Sequence, residues 1–377
     1  MKLVILHPTL PAYRKDFFEK LNDQLMQKDI ELIVIHGTSF FKKSIKPDED
    51  PHYKTYPLIT KEYNPFGYRI VLWSGIFSKI KSIRPDVIII LFCPGNITFW
   101  LVQLYCYFKG IKLGLWSNGS VRHEITGLKR KIRSIFLNFF TRRAQFHICY
   151  GTRYEKELLA AGYERSRIFV AQNTINIEKI IAQNSEVKKV TSEDQYNFLF
   201  VGALIEGKNL DLAVRVIARL ISEGYKIKFR IIGAGAMIEE LRSLVRDEKM
   251  EDHISVLGYI SDEEIPAFFN EADIFFLPGT GGLAVNEAMA YGLAVITTIA
   301  DGTVLDLVYE GENGYYLKDI PDFDNIFEVC KKALQNSKSH LREMGNTSRK
   351  LIVERASLSN MVNNFEKAVL YGMENRV

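Results

Sequence analysis

The chain has 377 residues, of which 47% are hydrophobic and 25% are charged; this is the balance of a folded protein of two or three domains, and it excludes a disordered or fibrous chain. Its four cysteines form no Cys-x-x-Cys pair and have no metal-ligand spacing with a histidine, which argues against a zinc site and a disulfide framework. The net charge of +4 conceals an asymmetry, because residues 1–170 carry 27 basic and 14 acidic side chains (+13) and the remainder carries 22 and 31 (−9).

The basic first half indicates an anionic partner, which is a nucleic acid, a membrane surface or a phosphorylated substrate. No secretion signal is expected, because Met1–Leu6 runs directly into His7-Pro8 without a basic leader or a cleavage site; we therefore expect a cytoplasmic protein. The stretch Val87–Phe108 has no charged residue over 22 positions, which is long enough to cross a bilayer. Because Pro94-Gly95-Asn96 interrupts it, we expect instead a buried strand, a turn and a buried helix over Ile97–Phe108.

In the first half of the chain, continuous apolar segments alternate with helical patterns. This alternation predicts an α/β domain in which both faces of a parallel sheet are covered, a doubly wound domain. We expect a long irregular loop or an excursion at the sheet edge over Phe40–Asn64, and helices over Arg14–Lys28, Tyr68–Ile83 and Ile97–Phe108. The predicted strands are Lys2–His7, Glu31–His36, Val87–Leu91, Lys112–Trp116, Gln145–Tyr150 and Ile168–Ala171.

After a polar segment at Ser185–Gln195, which we interpret as a linker, the alternation starts again and predicts a second doubly wound domain. We place the two domains at residues 1–175 and 176–359, and expect ligands at the carboxyl ends of the strands, in a cleft between the domains. The predicted strands are Tyr196–Val201, Ile227–Ile232, Ile254–Leu257, Ile274–Leu277 and Ala294–Thr297. The predicted helices are Leu210–Glu223, Met237–Glu248, two that start near Asp262 and Leu283, and a helical tail from about Ser337.

Two strand-to-helix turns carry glycines. In the first, Gly202 ends a strand and Lys208 precedes a helix. Glycine allows the backbone to approach a ligand, and a lysine at a helix N-terminus favours a phosphate, although a plain turn with a solvated lysine explains these residues equally well. The second turn contains Gly233 and Gly235 but lacks the third glycine of a dinucleotide fingerprint, because position 239 is glutamate. A tight turn is the favoured interpretation there.

A third turn, Pro278-Gly-Thr-Gly-Gly-Leu283, opens a helix that contains Glu287. Its amide groups and the helix dipole are suited to bind an anion. Glu287 lies about one turn into that helix, where its carboxylate can accept hydrogen bonds from ribose hydroxyls. An exposed helical glutamate is the alternative, which the apolar neighbours Leu283, Ala284, Ala288 and Met289 make less attractive.

These segments, together with Leu257-Gly-Tyr259 and Glu287-Ala-Met-Ala-Tyr-Gly292, resemble the retaining glycosyltransferases of family 4, of bacterial surface-polysaccharide type. The resemblance covers Tyr196 to about Gly314, and it reaches the first domain only through the architecture. It implies the GT-B fold of two Rossmann-like domains facing across a cleft, a nucleotide-sugar donor in the second domain, an acceptor in the first, and a last helix, about residues 360–377, that crosses back to the first domain.

The resemblance also implies roles for individual residues. Lys208 would contact the donor diphosphate and Glu287 the nucleotide ribose. Asn118, and His123 five residues beyond it, are further catalytic candidates at the sugar. For His123 and His7 the alternative is a histidine whose hydrogen bonds are satisfied within its loop. His7 and Arg14 would belong to a first-domain loop that closes over the reaction centre. Other donor-binding positions would be Gly202, Gly233, Gly235, Tyr259, Gly281, Gly282 and Leu283.

Three positions depart from the family pattern. Ala203 stands where an arginine usually follows the strand's glycine, Gly279 stands where the first of two glutamates usually lies, and Asn118 stands where a histidine often precedes a glycine. A missing guanidinium costs about 1.5–3 kcal/mol of charge-assisted hydrogen bonding unless Arg14, Lys15 or Arg122 replaces it. Whether these departures lower activity is open.

The chain also contains one strongly basic segment and two short acidic strings. The segment Gly127–Arg143 combines Lys129, Arg130, Lys131 and Arg133 with apolar residues; it suits contact with an anionic membrane as a basic amphipathic helix, or packs on the core with solvated lysines. The acidic strings Asp48-Glu-Asp50 and Asp322-Phe-Asp324 do not end buried strands. We therefore expect no metal and no cofactor other than the nucleotide-sugar co-substrate.

Taken with the resemblance, these residues predict a retaining, metal-independent hexosyltransferase that moves a sugar from a UDP- or GDP-linked donor to a lipid-linked or glycan acceptor in the synthesis of capsule, O-antigen or exopolysaccharide. We expect it in the cytoplasm, peripheral on the inner face of the membrane, and without a nucleic-acid partner. A nucleotide-sugar epimerase and a catalytically impaired scaffold subunit are the alternatives. The sugar, the base, the acceptor, the linkage and the oligomeric state are not determined by the sequence.

Overall fold

A computed structural model describes residues 1–38, 51–64, 70–93, 95–119, 139–183, 194–299 and 302–374. The chain separates into two compact units. Unit 1 comprises Met1–Asn173 together with Leu358–Val377, and unit 2 comprises Thr174–Ser357. Each unit contains its own parallel sheet.

Unit 1 is built on a seven-stranded parallel sheet with the order β3-β2-β1-β6-β7-β8-β9. A separate antiparallel pair, β4 and β5, joins residues that neighbour the sheet in sequence. The strands are β1 (Lys2–His7), β2 (Glu31–Gly37), β3 (Lys54–Leu58), β4 (Thr60–Tyr63), β5 (Ile70–Trp73), β6 (Val87–Leu91), β7 (Lys112–Ser117), β8 (Phe146–Cys149) and β9 (Ile168–Val170). The helices are α1 (Lys15–Met26), α2 (Ile76–Ile83), α3 (Ile97–Lys109), α4 (Thr152–Ala160) and, at the end of the chain, α12 (Leu358–Glu374).

Unit 2 has a six-stranded parallel sheet with the order β12-β11-β10-β13-β14-β15. The order reverses at β10, so the loops after β10 and β13 leave the sheet at its topological switch point, where ligands of such sheets bind. The strands are β10 (Tyr196–Val201), β11 (Ile227–Ile232), β12 (Ile254–Gly258), β13 (Ile274–Leu277), β14 (Ala294–Thr298) and β15 (Gly314–Leu317). The helices are α5 (Ile177–Gln183), α6 (Leu210–Ser222), α7 (Ile238–Asp247), α8 (Ile265–Glu271), α9 (Leu283–Ala290), α10 (Phe323–Leu334) and α11 (Lys338–Ala356).

The C-terminal helix α12 is part of the core of unit 1. Phe365 on this helix packs its ring 5.2 Å from Phe17 and 5.0 Å from Trp116, measured between centroids. The Lys20 ammonium donates a hydrogen bond of 2.6 Å to the Ser359 hydroxyl. Aromatic pairs of this kind stabilise a core beyond the area that they bury, so α12 is held to unit 1 mainly by apolar contact.

The predicted α/β fold class is confirmed, and most predicted strands have the bounds that the apolar segments indicated. The expected helix over Tyr68–Ile83 is wrong at its start: Ile70–Trp73 forms β5, which pairs with β4, and α2 begins only after Gly75 with its φ of +78°. Three of these four apolar residues, Ile70, Val71 and Trp73, are β-branched or aromatic and so suit a paired strand better than a helix. Part of the expected irregular loop, Phe40–Asn64, is likewise paired, as β3 and β4.

Within the predicted linker, Ser185–Gln195, residues 185–193 lie outside the described residues. The strand β15 was not predicted. In the part of the chain that the structure describes, no helix has the length and apolar character needed to span a membrane, and Val87–Phe108 forms the strand β6 and the helix α3.

Candidate active site

The loops that follow β10 and β11 are in backbone contact. A Cβ added at Gly233, whose φ is +147°, would lie 1.7 Å from the carbonyl oxygen of Gly202. A Cβ at Gly235 would lie 2.0 Å from the carbonyl oxygen of Leu204. Any side chain would separate the two loops, since real Cβ atoms do not approach other atoms this closely. The glycines predicted for donor binding therefore have a demonstrable packing role in joining these loops.

The loop after β13 packs against the end of the β10 loop. The Thr280 amide donates a hydrogen bond of 2.9 Å to the carbonyl of Gly207, and the Asn209 side-chain amide donates one of 3.0 Å to the carbonyl of Pro278. Asn209 has a φ of +52°, in the left-handed region that asparagine tolerates better than most residues. These bonds fix the position of the short helical turn Glu206–Lys208 relative to the amino end of α9.

Gly279 lies at the closest point of this contact. A Cβ at this position would lie 2.3 Å from the carbonyl oxygen of Gly207 and 2.5 Å from the Cα of Lys208. The resemblance leads one to expect a glutamate at this position, and the contact gives a physical reason for its absence here. The two loops approach each other so closely that no side chain fits between them.

The Lys208 ammonium donates a hydrogen bond to the carbonyl of Thr280. It also lies 3.0 Å from the place that a Cβ on Gly281 would occupy. The structure thus brings Lys208 together with Gly281, Gly282 and Leu283 at the amino end of α9. A cation, loop amides and the positive end of a helix dipole at one place can bind a phosphate or diphosphate.

Glu287 is the fifth residue of α9 and faces a largely desolvated environment. Burial, with a further contribution from the negative charge of Asp262, raises the pKa of Glu287 to about 7. Among the described residues, its carboxylate has no hydrogen bond or ion pair. A carboxylate in this position can accept hydrogen bonds from a hydroxylated ligand. The influence of Asp262 was missed by sequence reasoning, because nothing in the spacing relates residues 262 and 287.

Tyr259 follows β12 and is 62% exposed. It comes directly after Gly258, which has a φ of +80° and whose carbonyl accepts a hydrogen bond of 2.8 Å from the Gly233 amide. Tyr259, which the resemblance implies in donor binding, therefore follows a residue that is hydrogen-bonded to the Gly233 turn. All of the predicted donor-binding residues lie at the carboxyl ends of β10, β11, β12 and β13 of unit 2.

In unit 1, His7 is the last residue of β1 and is buried. Its Nδ1 is hydrogen-bonded to the carbonyl of Thr9, and its Nε2 has no partner among the described residues. Burial, with a smaller contribution from the nearby Arg14 charge, lowers the pKa of His7 to about 3. The imidazole is therefore neutral at physiological pH and enclosed by protein, which disfavours direct contact with a ligand.

Arg14 is fully buried, although the sequence placed it on a loop that reaches a ligand. Its guanidinium donates hydrogen bonds to the Asn173 side-chain oxygen and, over 3.3 Å, to the Tyr150 hydroxyl. Its Cζ lies 4.8 Å from the centroid of the Trp116 ring. Cation–π contact and neutral acceptors thus stabilise the charge. This arrangement favours a positioning role in unit 1 over direct binding of the diphosphate.

The other predicted residues divide into three groups. Asn118 is exposed directly after β7, and the amide of the adjacent Gly119 donates to the Ser117 hydroxyl over 3.1 Å. Asp322 caps α10 by accepting a hydrogen bond of 2.8 Å from the Asn325 amide. Predictions that lie outside the described residues concern His123, Arg122, Lys129, Arg130, Lys131, Arg133 and the string Asp48–Asp50. Within the described ranges, no three His, Cys, Asp or Glu side chains are grouped so that they would hold a metal ion.

Comparison with known families adds a match that falls on unit 2. Residues 182–351 match the sequence profile of the family described as Glycosyl transferases group 1. Unit 2 is therefore similar to this family over most of its length. The matched segment contains all the loops of unit 2 described above, including Lys208, Thr280 and Glu287.

Curated relatives are named for polysaccharide synthesis. The chain is 33% identical over 264 residues to the putative colanic acid biosynthesis glycosyltransferase WcaL of Salmonella typhimurium, covering 67% of this chain and 62% of the relative. It is 28% identical over 171 residues to the amylovoran biosynthesis glycosyltransferase AmsK of Erwinia amylovora, covering 43% of this chain and 41% of the relative. The chain thus spans less than two thirds of the length of these relatives.

Solved structures agree with the fold over nearly the whole chain. The lipopolysaccharide outer core galactosyltransferase WaaB matches with a TM-score of 0.71 and 16% identity, covering 98% of this chain and 99% of that one. HepE of Anabaena, in complex with UDP-glucose, matches with a TM-score of 0.68 and 15% identity, covering 98% and 99%. At these identities the likeness establishes the GT-B fold that the resemblance implied, and nothing finer.

Proposed function

We propose that this chain is a glycosyltransferase of surface-polysaccharide biosynthesis that moves a sugar from a nucleoside diphosphate donor to a lipid-linked or glycan acceptor. The observation that carries the proposal is the contact between the loops after β10 and β13. There the Lys208 ammonium donates a hydrogen bond to the Thr280 carbonyl at the amino end of α9. The similarity of unit 2 to the group 1 family and the names of the relatives support the same class of reaction.

Within this proposal Lys208 and the loop amides bind the donor diphosphate. In the ground state they compensate its charge, and as the bond from sugar C1 to the diphosphate oxygen breaks they stabilise the additional negative charge on the leaving group. Thr280 offers only a backbone carbonyl to Lys208, so a bound phosphate would be the stronger, charge-assisted acceptor for the same ammonium. The transfer thus requires no metal in the proposed scheme.

The proposal includes retention of the configuration at C1 of the transferred sugar. The acceptor hydroxyl attacks C1 from the face that the diphosphate leaves, a bond from C1 to the acceptor oxygen forms, and the acceptor proton passes to the departing phosphate oxygen. Atoms and charge balance without another reactant. The proposed donor is UDP-linked or GDP-linked; HepE, which shares the fold, is recorded with UDP-glucose.

Glu287 is proposed to bind the ribose of the nucleotide. Its carboxylate stands one turn beyond Leu283 on α9, in a setting that already makes ionisation unfavourable. Ribose hydroxyls that donate to the carboxylate would stabilise the ionised form, since a charged acceptor forms the stronger hydrogen bond. Unit 1 is proposed to receive the acceptor, with the basic segment Lys129–Arg133 near the anionic membrane.

The proposal is tested first by nucleotide binding. UDP, GDP, CDP and ADP are added to the purified chain with and without EDTA, and the melting temperature is measured. A ligand at a hundredfold excess over its Kd stabilises the protein by about 2.7 kcal/mol. We expect one base to raise the melting temperature with no effect of EDTA, and the Lys208→Ala variant to lose this shift. The exposed Lys228, at the amino end of β11, provides the matched control Lys228→Ala.

Transfer itself is tested with the donor that binds, a membrane extract as the source of acceptor, and NMR of the anomeric centre in the product. The α-linked product of an α-linked donor is expected. Inversion at C1 would refute the retaining mechanism, and conversion of the donor sugar without any acceptor would point to an epimerase. If no nucleotide binds, the scaffold alternative replaces the proposed function.

A further inference from the structure

Helix α3 in unit 1 has apolar side chains on both of its faces. Its inner face packs into the core through Phe99, Val102 and Cys106, all of which are at most 1% exposed. Its outer face carries Ile97, Leu101, Leu104, Tyr105 and Phe108, which recur at intervals of three and four residues and so follow one side of the helix. The expectation of a buried helix over Ile97–Phe108 is therefore wrong for this outer face, where Leu101 is 44% and Phe108 is 78% exposed.

Neighbouring aromatic residues enlarge this face. The Phe77 ring on α2 lies 5.4 Å from the Tyr105 ring, and the adjacent Tyr107 is 61% exposed. The Arg143 guanidinium lies 3.3 Å from the centroid of the Phe139 ring and 5.2 Å from that of Tyr107. We call the resulting surface the α3 surface; it is formed by Phe77, Ile97, Leu101, Tyr105, Tyr107, Phe108, Phe139 and Arg143.

An exposed apolar surface of several contiguous residues is uncommon on a monomeric protein and marks a place of contact. Most other exposed large apolar side chains of the described residues, such as Ile320 in unit 2 and Ile59 in unit 1, are not part of such a helix face. An uninterrupted run of 22 uncharged residues ending at Phe108 keeps the centre of the surface free of charge. The α3 surface thus requires an apolar or amphipathic occupant.

The chain around α3 is strongly basic in sequence. Residues 87–154 contain ten Lys and Arg and a single acidic residue, Glu124. Among the described ones, Lys109 ends α3, and Arg142 and Arg143 follow Phe139. A protein partner could meet such a surface only with acidic residues around an apolar centre. An anionic bilayer offers both features at every point, with phosphate headgroups above acyl chains, and aromatic and basic side chains are suited to that boundary.

We propose that the α3 surface docks on an anionic lipid bilayer, with Leu101 and Phe108 entering the headgroup boundary and Arg142 and Arg143 contacting lipid phosphates. The docking proposal deepens the proposed function and rests on it, because a lipid-linked acceptor is presented at a membrane surface. The test below measures vesicle binding rather than sugar transfer. Either proposal can therefore fail while the other stands.

The experiment is flotation of the full chain with vesicles of phosphatidylcholine alone and of equal parts phosphatidylcholine and phosphatidylglycerol. We expect binding to the anionic vesicles that weakens as salt is added, because screening reduces attraction between surface charges and headgroups. The double variant Leu101→Ser, Phe108→Ser should lower the affinity at least tenfold, and Arg142→Gln with Arg143→Gln should remove the preference for phosphatidylglycerol.

The matched control is Ile320→Ser, because Ile320 is 77% exposed, as Phe108 is, but lies in unit 2. Its affinity for vesicles should equal that of the unchanged chain. Melting temperatures measured alongside separate a loss of docking from a loss of folding. Unchanged vesicle binding in the double variant, or an equal loss in the control, would refute the proposal. So would a dimer of this chain that dissociates in the double variant while vesicle binding persists.

Discussion

Gly279→Ala tests whether the close approach of the β10 and β13 loops builds the donor site. The new methyl group would lie 2.3 Å from the Gly207 carbonyl oxygen and 2.5 Å from the Lys208 Cα. Both obstacles are backbone atoms, which cannot rotate away as the end of a side chain can. The φ of Gly279 is not in the left-handed region, so backbone strain adds nothing and the effect measures the collision alone.

Overpacking of this kind costs about 1–3 kcal/mol. For a unit of this size, each kcal/mol lowers the melting temperature by roughly 2–4 °C. We therefore expect Gly279→Ala to melt ~4–8 °C lower if the cost is about 2 kcal/mol. Because relief of the collision moves the Glu206–Lys208 turn, we also expect at least a tenfold loss of nucleotide affinity, or about 1.4 kcal/mol.

The assay is calorimetric melting followed by titration with the nucleotide that binds. Gly207→Ala serves as the stability control, since a Cβ at that position meets only the Thr280 hydroxyl at 3.5 Å, an ordinary contact, and Gly207 likewise has no positive φ. Gly279→Glu should be worse than Gly279→Ala, although it restores the residue that the family pattern has there. Equal melting temperatures for Gly279→Ala and Gly207→Ala would refute this reasoning.

Three further predictions concern titration and buried charge. The pKa of Glu287 is raised to about 7, so the stability that Glu287 contributes is complete at low pH and is lost as the pH rises from the ordinary pKa of a glutamate toward 7. Nucleotide affinity should increase over the same pH range. Calorimetry of Glu287→Gln should show neither trend. Lys338 is 1% exposed and pairs with Asp273 over 2.9 Å, so Lys338→Met should destabilise unit 2 by about 3 kcal/mol, less if the Asn197 bonds to Asp273 compensate; an unchanged melting temperature would contradict this. Arg14→Met removes the guanidinium that donates to the Asn173 oxygen. It should lower the free energy of unfolding, measured with denaturant, by about 1–3 kcal/mol and leave nucleotide binding to unit 2 unaffected. Selective loss of nucleotide binding would indicate a direct role of Arg14 in binding.

Much of the fold follows from short-range patterns. Val87–Leu91 and Ile274–Leu277 are continuous apolar segments between turn signals, and a strand with both faces buried needs such a segment. The separate antiparallel pair was missed, because Ile70–Trp73 is a strand only through its pairing with Thr60–Tyr63. The residue pattern within 70–83 does not reveal this partner. Pairing partners are a property of the assembled chain.

The site divides in the same way. Lys208, Gly281 and Glu287 could be singled out from the sequence because glycines, a lysine and a helix start lie next to each other in the chain. The reason for Gly279 could not, since the obstacle to a side chain is the backbone some seventy residues earlier in the chain. Nor could the raised pKa of Glu287, which depends on burial and on the charge of Asp262.

The alternation of strands and helices, the restart of the pattern in a second unit and the glycine-rich turns can be read from the sequence alone, because each depends on neighbouring residues. Which of these residues are enclosed and which are accessible depends on the tertiary structure. Arg14 is buried against Trp116, while Phe108, in the longest uncharged stretch of the chain, is exposed. Exposure depends on which elements pack against a residue, and those contacts are made by parts of the chain far apart in sequence.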